Sequence, residues 1–167
     1  MANENMRMSP RGYTQLQLRE GVRMHYYNDM PVNGNCTWGV GTLAHYGPCT
    51  EEELRRTVLE SDVNAVLSAR VMEAERIVKH VVTDHALTQE QFDAAVSFAY
   101  NSRTHNIRDA LSPANTGNMN AVADQMMQNV YITPRDPRGM PSGNPQFSRG
   151  LYNWRLGESQ PFRSRTP

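Results

Sequence analysis

The spacing of apolar residues along the chain changes twice. Ser9-Pro10 places a capping hydroxyl before a proline at the first helical position, and Leu16, Leu18 and Glu20 follow before Gly21. This predicts a short helix from about Pro10 to Arg19. From Val22 to Tyr46 the texture favours strands: Tyr26, Tyr27, Val32, Thr37, Trp38, Val40 and Thr42 are punctuated by Pro31, Asn33-Gly34, Gly39 and Gly41. A small antiparallel sheet with tight turns is expected there. Helical spacing then returns. Thr50-Glu51-Glu52-Glu53 has the form of a capping box. Behind it Leu54, Val58, Ala65, Val66, Ala69, Met72, Ile77 and Val81 recur with no Gly or Pro before Ala86, which fits one long helix or two consecutive ones.

A second box, Thr88-Gln89-Glu90-Gln91, opens a helix with Phe92, Ala95, Val96 and Ala99 on one face. Residues 102–118 read as broken, with a short helix around Arg108, and Ala121 to Val130 as a further helix. Thr133 to Gln146 holds four prolines and two glycines and reads as a loop. Ser148 to Leu156 reads as the last helix. The order gives an α+β fold with segregated parts: a small N-terminal antiparallel sheet lobe and a larger helical lobe, with a ligand cleft between them.

Length adds that this is one domain: 167 residues match a single-domain prior and suffice for a real core. It divides into a polar tail (1–12), a helix plus small-sheet lobe (13–49), a connecting helical segment (50–86), a helical lobe (87–162) and a tail (163–167). Seventeen Lys+Arg balance seventeen Asp+Glu, which argues against a nucleic-acid binder. The balance is uneven along the chain. From Tyr131 onward six arginines face only Asp136 and Glu158, a basic end that can touch an anionic surface or simply be solvated. No apolar run approaches the roughly 20 residues of a membrane span, and the polar start from Met1 to Arg11 is unlike a signal peptide.

Cys36 and Cys49 are too few for a disulfide scaffold and form no metal motif, so they read as two independent thiols, with a bridge as the alternative. His80, His85 and His105 lack metal-ligand spacing. No metal and no cofactor is expected. Met119, Met126 and Met127, like Phe92, Val96 and Phe98, read as core or helix surface.

Glu20 stands at a helix end and Asp29 in the strand region, with Thr37 just before Trp38-Gly39-Val40-Gly41. Two carboxylates on different elements can be held apart across a cleft, as glycosidic hydrolysis requires, with one a proton donor of raised pKa and the other an ionised base or nucleophile. A hydroxyl near the base can hold a water. By spacing alone, though, an acid at a helix end and an Asp near a turn are ordinary solvated residues.

The surrounding motifs are more specific. Glu20-Gly21-Val22-Arg23, Tyr27-x-Asp29 and Thr37-Trp38-Gly39-Val40-Gly41 resemble the opening of phage-type lysozymes, glycoside hydrolase family 24. Leu87 to Asn101 is similar to that family's stretch of the form L-x-x-x-Q-x-D-A-L-V-S-F-x-F-N. Gly150 to Glu158 is similar to its closing G-L-x-N-R-R-x-x-E. The matches keep the family's order over most of the chain.

The resemblance implies a lysozyme-like fold and a muramidase that cleaves the β-1,4 bond between N-acetylmuramic acid and N-acetylglucosamine. By matched position Glu20 would be the general acid, Asp29 would activate the water and Thr37 would help hold it, with inversion at the anomeric carbon. Tyr27, Asn101 and Arg155 are candidate substrate contacts. Tyr26, Tyr27 and Trp38 also fit sheet packing, and Asn101 also fits a helix cap. The partner would be bacterial peptidoglycan, met by a monomer. The enzyme would wait in the host cytoplasm and act at the periplasmic wall, after holin-dependent release or through a delivery machine.

Four departures stand out. The stretch between Asp29 and Thr37 is two residues longer than the usual spacing, which could pass the water-holding role to Asn35, Cys36 or Thr42. Thr42 replaces the family's His, Trp154 replaces the first closing Arg, and Arg103 stands where the pattern has Gly. With Trp154 in place, only Arg155 remains to charge-pair Glu20. An apolar neighbour would raise the Glu20 pKa and an Arg would lower it. Two other readings remain open: a lytic transglycosylase, which uses one Glu and no water, and a lysozyme-like module that binds glycan or protein without cleaving it.

Overall fold

The structure, a computed structural model, describes residues 1–30, 34–136 and 138–163. The turn read at Pro31, Val32 and Asn33, Pro137 of the loop and the end of the tail at 164–167 lie outside the described residues.

Helix α1 (Pro10–Glu20) starts where Ser9 accepts a hydrogen bond from the Gly12 N–H and ends at Gly21, whose φ of 59° is left-handed. Glycine adopts that conformation without a Cβ penalty, so Glu20 is the last residue of the helix. Strands β1 (Arg23–Asn28), β2 (Cys36–Gly39) and β3 (Thr42–His45) form an antiparallel sheet in that order. The β2–β3 turn docks on the helical lobe. Val40 is buried, and Gly39, at φ 61°, brings its backbone so close that a Cβ there would lie 3.2 Å from Val63 Cγ2.

The stretch after Thr50 forms two helices, α2 (Glu51–Arg55) and α3 (Glu60–Val81). The break has a tertiary cause: Arg56 turns extended, and the Val58 N–H donates to the Met24 carbonyl at 2.9 Å, so the segment pairs with β1 instead of continuing the helix. Helix α4 (Gln89–Tyr100) makes its capping box and runs through the centre, with Phe92, Ala95, Val96 and Phe98 fully buried. Around it lie α1, α3, α5 (Thr104–Leu111) and α7 (Arg149–Ser159), with α6 (Met119–Gln128) behind α5 and α7.

The loop read from Thr133 to Gln146 is framed by two short paired strands, β4 (Tyr131–Ile132) and β5 (Gln146–Phe147). Two residues are too few to show a period of two. The first residues are anchored: Asn3 is buried, its side chain donating to the Val82 and His85 carbonyls and accepting from the Leu87 N–H, each at 2.9 Å.

The reading of Cys36 and Cys49 as independent thiols is corrected: they form a disulfide, with Cα atoms 4.6 Å apart. After β3 the chain doubles back at Gly47, whose carbonyl accepts from the Cys36 N–H at 2.8 Å, and this delivers residue 49 to the start of β2. Such tertiary return is invisible in residue spacing.

A buried charge pair joins the helices. Glu158 and Arg155, 1% and 2% exposed, meet at 2.6 Å. Glu158 also accepts from the Ser97 hydroxyl of α4 at 2.6 Å and faces Arg19 of α1 at 3.5 Å. Arg155 donates to the Asn129 carbonyl and the Ser102 hydroxyl, and its guanidinium lies 4.5 Å from the Phe98 ring centre.

Two outcomes follow for stability. Glu158→Ala should cost about 3–5 kcal/mol in denaturant unfolding, because it leaves a buried guanidinium unpaired. Replacing Arg155 and Glu158 together by apolar residues should cost less than that single change. Cys36→Ser should cost about 2–4 kcal/mol, and the denatured, unreduced chain should show no free thiol.

Candidate active site

The ends of α1 and α4 meet at Glu20. Glu20 is half-buried, and its Oε1 accepts from Asn101 Nδ2 at 2.8 Å. Asn101 also caps α4, its N–H reaching the Phe98 and Ala99 carbonyls. Of the two roles that sequence left open for Asn101, the helix cap is filled, and the side chain bonds Glu20.

Burial raises the Glu20 pKa above the ordinary carboxyl value of 4.5. The Asn101 bond and the Arg70 charge oppose that shift, while the Glu158 charge adds to it. Desolvation disfavours the charged form and wins here.

Asp29 lies just beyond β1 and is exposed. Its Oδ1 accepts from the Asn35 N–H at 2.5 Å, and its own N–H donates to the Asn35 carbonyl at 3.1 Å. This pair closes the longer hairpin at its base. Below it the ladder runs Asn28 opposite Cys36 and Tyr27 opposite Thr37, so Thr37 stays in register with β1 despite the longer stretch. Thr37 is buried, and its hydroxyl donates to the Asn35 carbonyl at 3.1 Å. That uses its proton and leaves oxygen lone pairs as acceptors. The other three candidates for water holding are engaged: Cys36 in the disulfide, the Asn35 side chain with the Gly47 N–H, and the Thr42 hydroxyl with Arg70.

Tyr27 is half-buried and stacks under the Arg23 guanidinium, 4.2 Å from its ring centre. Arg155 is committed to Glu158 and is not the cation facing Glu20. That place belongs to Arg70, which sequence reading missed. Arg70 Nη1 donates to the Val40 carbonyl at 2.8 Å and Nη2 reaches the Thr42 hydroxyl at 3.4 Å. A signal existed: Arg70 falls among Val63, Leu67, Val71 and Ala74 on the buried face of α3, where a surface arginine has no place. Tyr100 was missed too. Its buried hydroxyl has no full hydrogen bond, with Arg70 and Glu20 as its charged neighbours.

A half-buried acid of raised pKa and an exposed, backbone-held carboxylate on a separate element are suited to general acid and general base roles. In an NMR titration of the carboxyls Glu20 should titrate above 4.5. Arg70→Met, which removes the opposing charge and keeps a similar length, should move it higher still. A Glu20 that titrates at the ordinary value in both proteins would contradict this electrostatic account.

Comparison with known proteins shows the family and the fold. The family model "Phage lysozyme" matches residues 17–153. An endolysin of Bacillus phage B103 is 30% identical over an alignment of 131 residues that covers 74% of this chain and 45% of that protein, so the chain spans under half the length of this relative. Two solved structures share the fold. The endolysin from Escherichia coli O157:H7 phage FAHEc1 has a TM-score of 0.76 at 24% identity, covering 97% of this chain and 96% of that one. The muramidase domain of SpmX from Asticaccaulis excentricus has a TM-score of 0.72 at 24% identity, covering 98% and 100%. The fold is therefore lysozyme-like, and the chain belongs to the phage lysozyme family.

Proposed function

We propose that the chain is a peptidoglycan hydrolase cleaving the β-1,4 bond between N-acetylmuramic acid and N-acetylglucosamine. The observation that carries this reading is the contrast between the two carboxyls: Glu20 is half-buried with a raised pKa, and Asp29 is exposed and fixed by the backbone of its hairpin. Protonated Glu20 donates its proton to the glycosidic oxygen as the bond breaks. Asp29 takes a proton from the water that attacks the anomeric carbon, and the Thr37 oxygen accepts a hydrogen bond from that water. Attack from the opposite face inverts the configuration, and such sites hold their carboxyls roughly 6.5–9.5 Å apart. Asn101 keeps the Glu20 carboxyl in one orientation. In the same reading the enzyme acts as a monomer on the bacterial wall from its periplasmic side, after holin-dependent release from the host cytoplasm. Among the described residues no helix is long and apolar enough to cross a membrane.

Glu20→Gln should abolish lysis of purified peptidoglycan. It should also be at least as stable as the parent at neutral pH. The raised pKa means that the folded state prefers protonated Glu20, so this residue's contribution is full below the usual carboxyl pKa and fades as pH rises through the folded value. Gln never ionises, so the advantage of the variant should shrink on acidification. For the parent, lysis should decline as pH rises through the Glu20 pKa. Reducing muramic ends in the digest support hydrolysis. 1,6-Anhydro ends would indicate a transglycosylase, and no cleavage with retained glycan binding a binding module.

A further inference from the structure

The corner where β2 begins, β3 ends and α2 starts gathers four side chains of metal-binding type. Cys36 opens β2, and its register partner His45 closes β3. Cys49 immediately precedes Thr50, the cap of α2, and Glu53 lies within that helix. The two sulfurs and a Glu53 carboxylate oxygen all lie within 4.8 Å of one another. His45 joins them through Glu53, with Nε2 2.9 Å from Oε1. None of the four has a role in the chemistry proposed above.

The donors are held as zinc ligands usually are. Two thiolates, an imidazole and a carboxylate make up a tetrahedral zinc set. Glu53 Oε2 accepts from the Thr50 N–H at 2.7 Å and from the Thr50 hydroxyl at 3.0 Å, which leaves Oε1 turned toward His45. His45 Nδ1 faces the Tyr46 carbonyl at 3.0 Å. Such an outer contact fixes a ligating imidazole and points its other nitrogen at the metal. Both cysteines are buried, whereas the His45 side chain is 42% exposed. An ion therefore finds a dry site with a path in from the histidine side.

In the oxidised protein the sulfurs are spent on each other. A dithiol reductant supplies the two electrons and two protons that break the S–S bond, leaving two thiols and its own disulfide. Zinc then displaces both thiol protons. The sulfurs part by rotation about their Cα–Cβ bonds, to the roughly 3.8 Å that a tetrahedral zinc sets between two thiolates.

We propose that the reduced chain binds one Zn²⁺ through Cys36, His45, Cys49 and Glu53, in exclusive alternation with the disulfide. Either staple ties the start of β2 to the start of α2. Asn35, which closes the Asp29 hairpin, and Thr37 flank Cys36. The strand that carries them is thus braced in reducing and in oxidising surroundings alike. Residue spacing shows no metal motif because the set is assembled by sheet register, which puts His45 opposite Cys36, and by the return of the chain at Gly47. The inference stands apart from the hydrolase reading.

The test uses the full, untagged chain, metal-free, reduced with a phosphine and kept anaerobic. Zn²⁺ is titrated in competition with a chromophoric chelator. One zinc per chain with a Kd below about 1 μM is expected, and Co²⁺ should give the sulfur-to-metal charge-transfer absorption of thiolate ligation. The oxidised chain should bind neither ion at that affinity. Cys36→Ser with Cys49→Ser should abolish binding, and Glu53→Gln and His45→Ala should each weaken it by about tenfold or more. These last two variants keep the disulfide when oxidised, so circular dichroism of their oxidised forms checks the fold independently of the metal. If reduction unfolds the chain, zinc should restore the far-UV signal. No zinc binding by the reduced chain, equal binding by the oxidised chain, or binding that neither Glu53→Gln nor His45→Ala weakens overturns the site.

Discussion

The position of the candidate acid depends on a charge pair that water does not reach. Glu158 and Arg155 are paired on α7 at 2.6 Å, and between them they contact Arg19 of α1, Ser97 of α4, Ser102 just after α4, and the Asn129 carbonyl after α6. Desolvating two charges is costly, so this pair is weak evidence for net stability. Its effect is on geometry. A buried guanidinium needs its donors satisfied in one arrangement, and here the arrangement requires the ends of α1 and α4 to stand side by side. Glu20 and Asn101 are the residues at those two ends. Close helix approach helps: a Cβ at Gly12 would meet the Asp93 carboxyl at 2.7 Å, and one at Gly157 would meet the Arg19 guanidinium at 2.9 Å.

The two carboxyls gain opposite character from their surroundings. Glu20 sits where a helix end enters the protein, and its desolvation outweighs both the Asn101 bond and the Arg70 charge. Asp29 is exposed just beyond β1, tied to Asn35 through both its carboxylate and its backbone N–H. Burial is thus graded across the junction of sheet and helices, and it favours the protonated form at Glu20. That gradation opposes stability at neutral pH, a common feature of sites selected for chemistry.

The fold was legible where local chemistry decides structure. Ser9-Pro10, Thr50-Glu53 and Thr88-Gln91 announce helix starts, and the three caps form as expected. Glu20, Asp29 and Thr37 are singled out by motif order alone, and register brings Asp29 and Thr37 onto one hairpin despite its added length. What escaped reading depends on long-range return of the chain. The break between α2 and α3 comes from pairing with β1. The disulfide comes from the turn at Gly47. The β4–β5 strands are too short to carry a pattern. Arg155 was assigned to Glu20 from its neighbourhood in sequence, but helix phase aims it into the core, with Trp154 half-buried beside it.

The departures from the family pattern acquire a common explanation once Arg70 is placed. Thr42 stands where the pattern has a histidine, and Trp154 removes a cation from α7. Arg70 engages the first of these changes directly, through the Thr42 hydroxyl, and supplies positive charge toward Glu20 from α3 instead of α7. By bonding the Val40 carbonyl it also fixes the β2–β3 turn against the helical lobe, the same turn that Gly39 lets approach Val63. A single guanidinium therefore ties the position of the sheet to the electrostatics of the acid. Charge at Glu20 and docking of the hairpin that carries Thr37 are coupled through one side chain, so a change at position 70 acts on both the Glu20 carboxyl and the strand that carries Thr37.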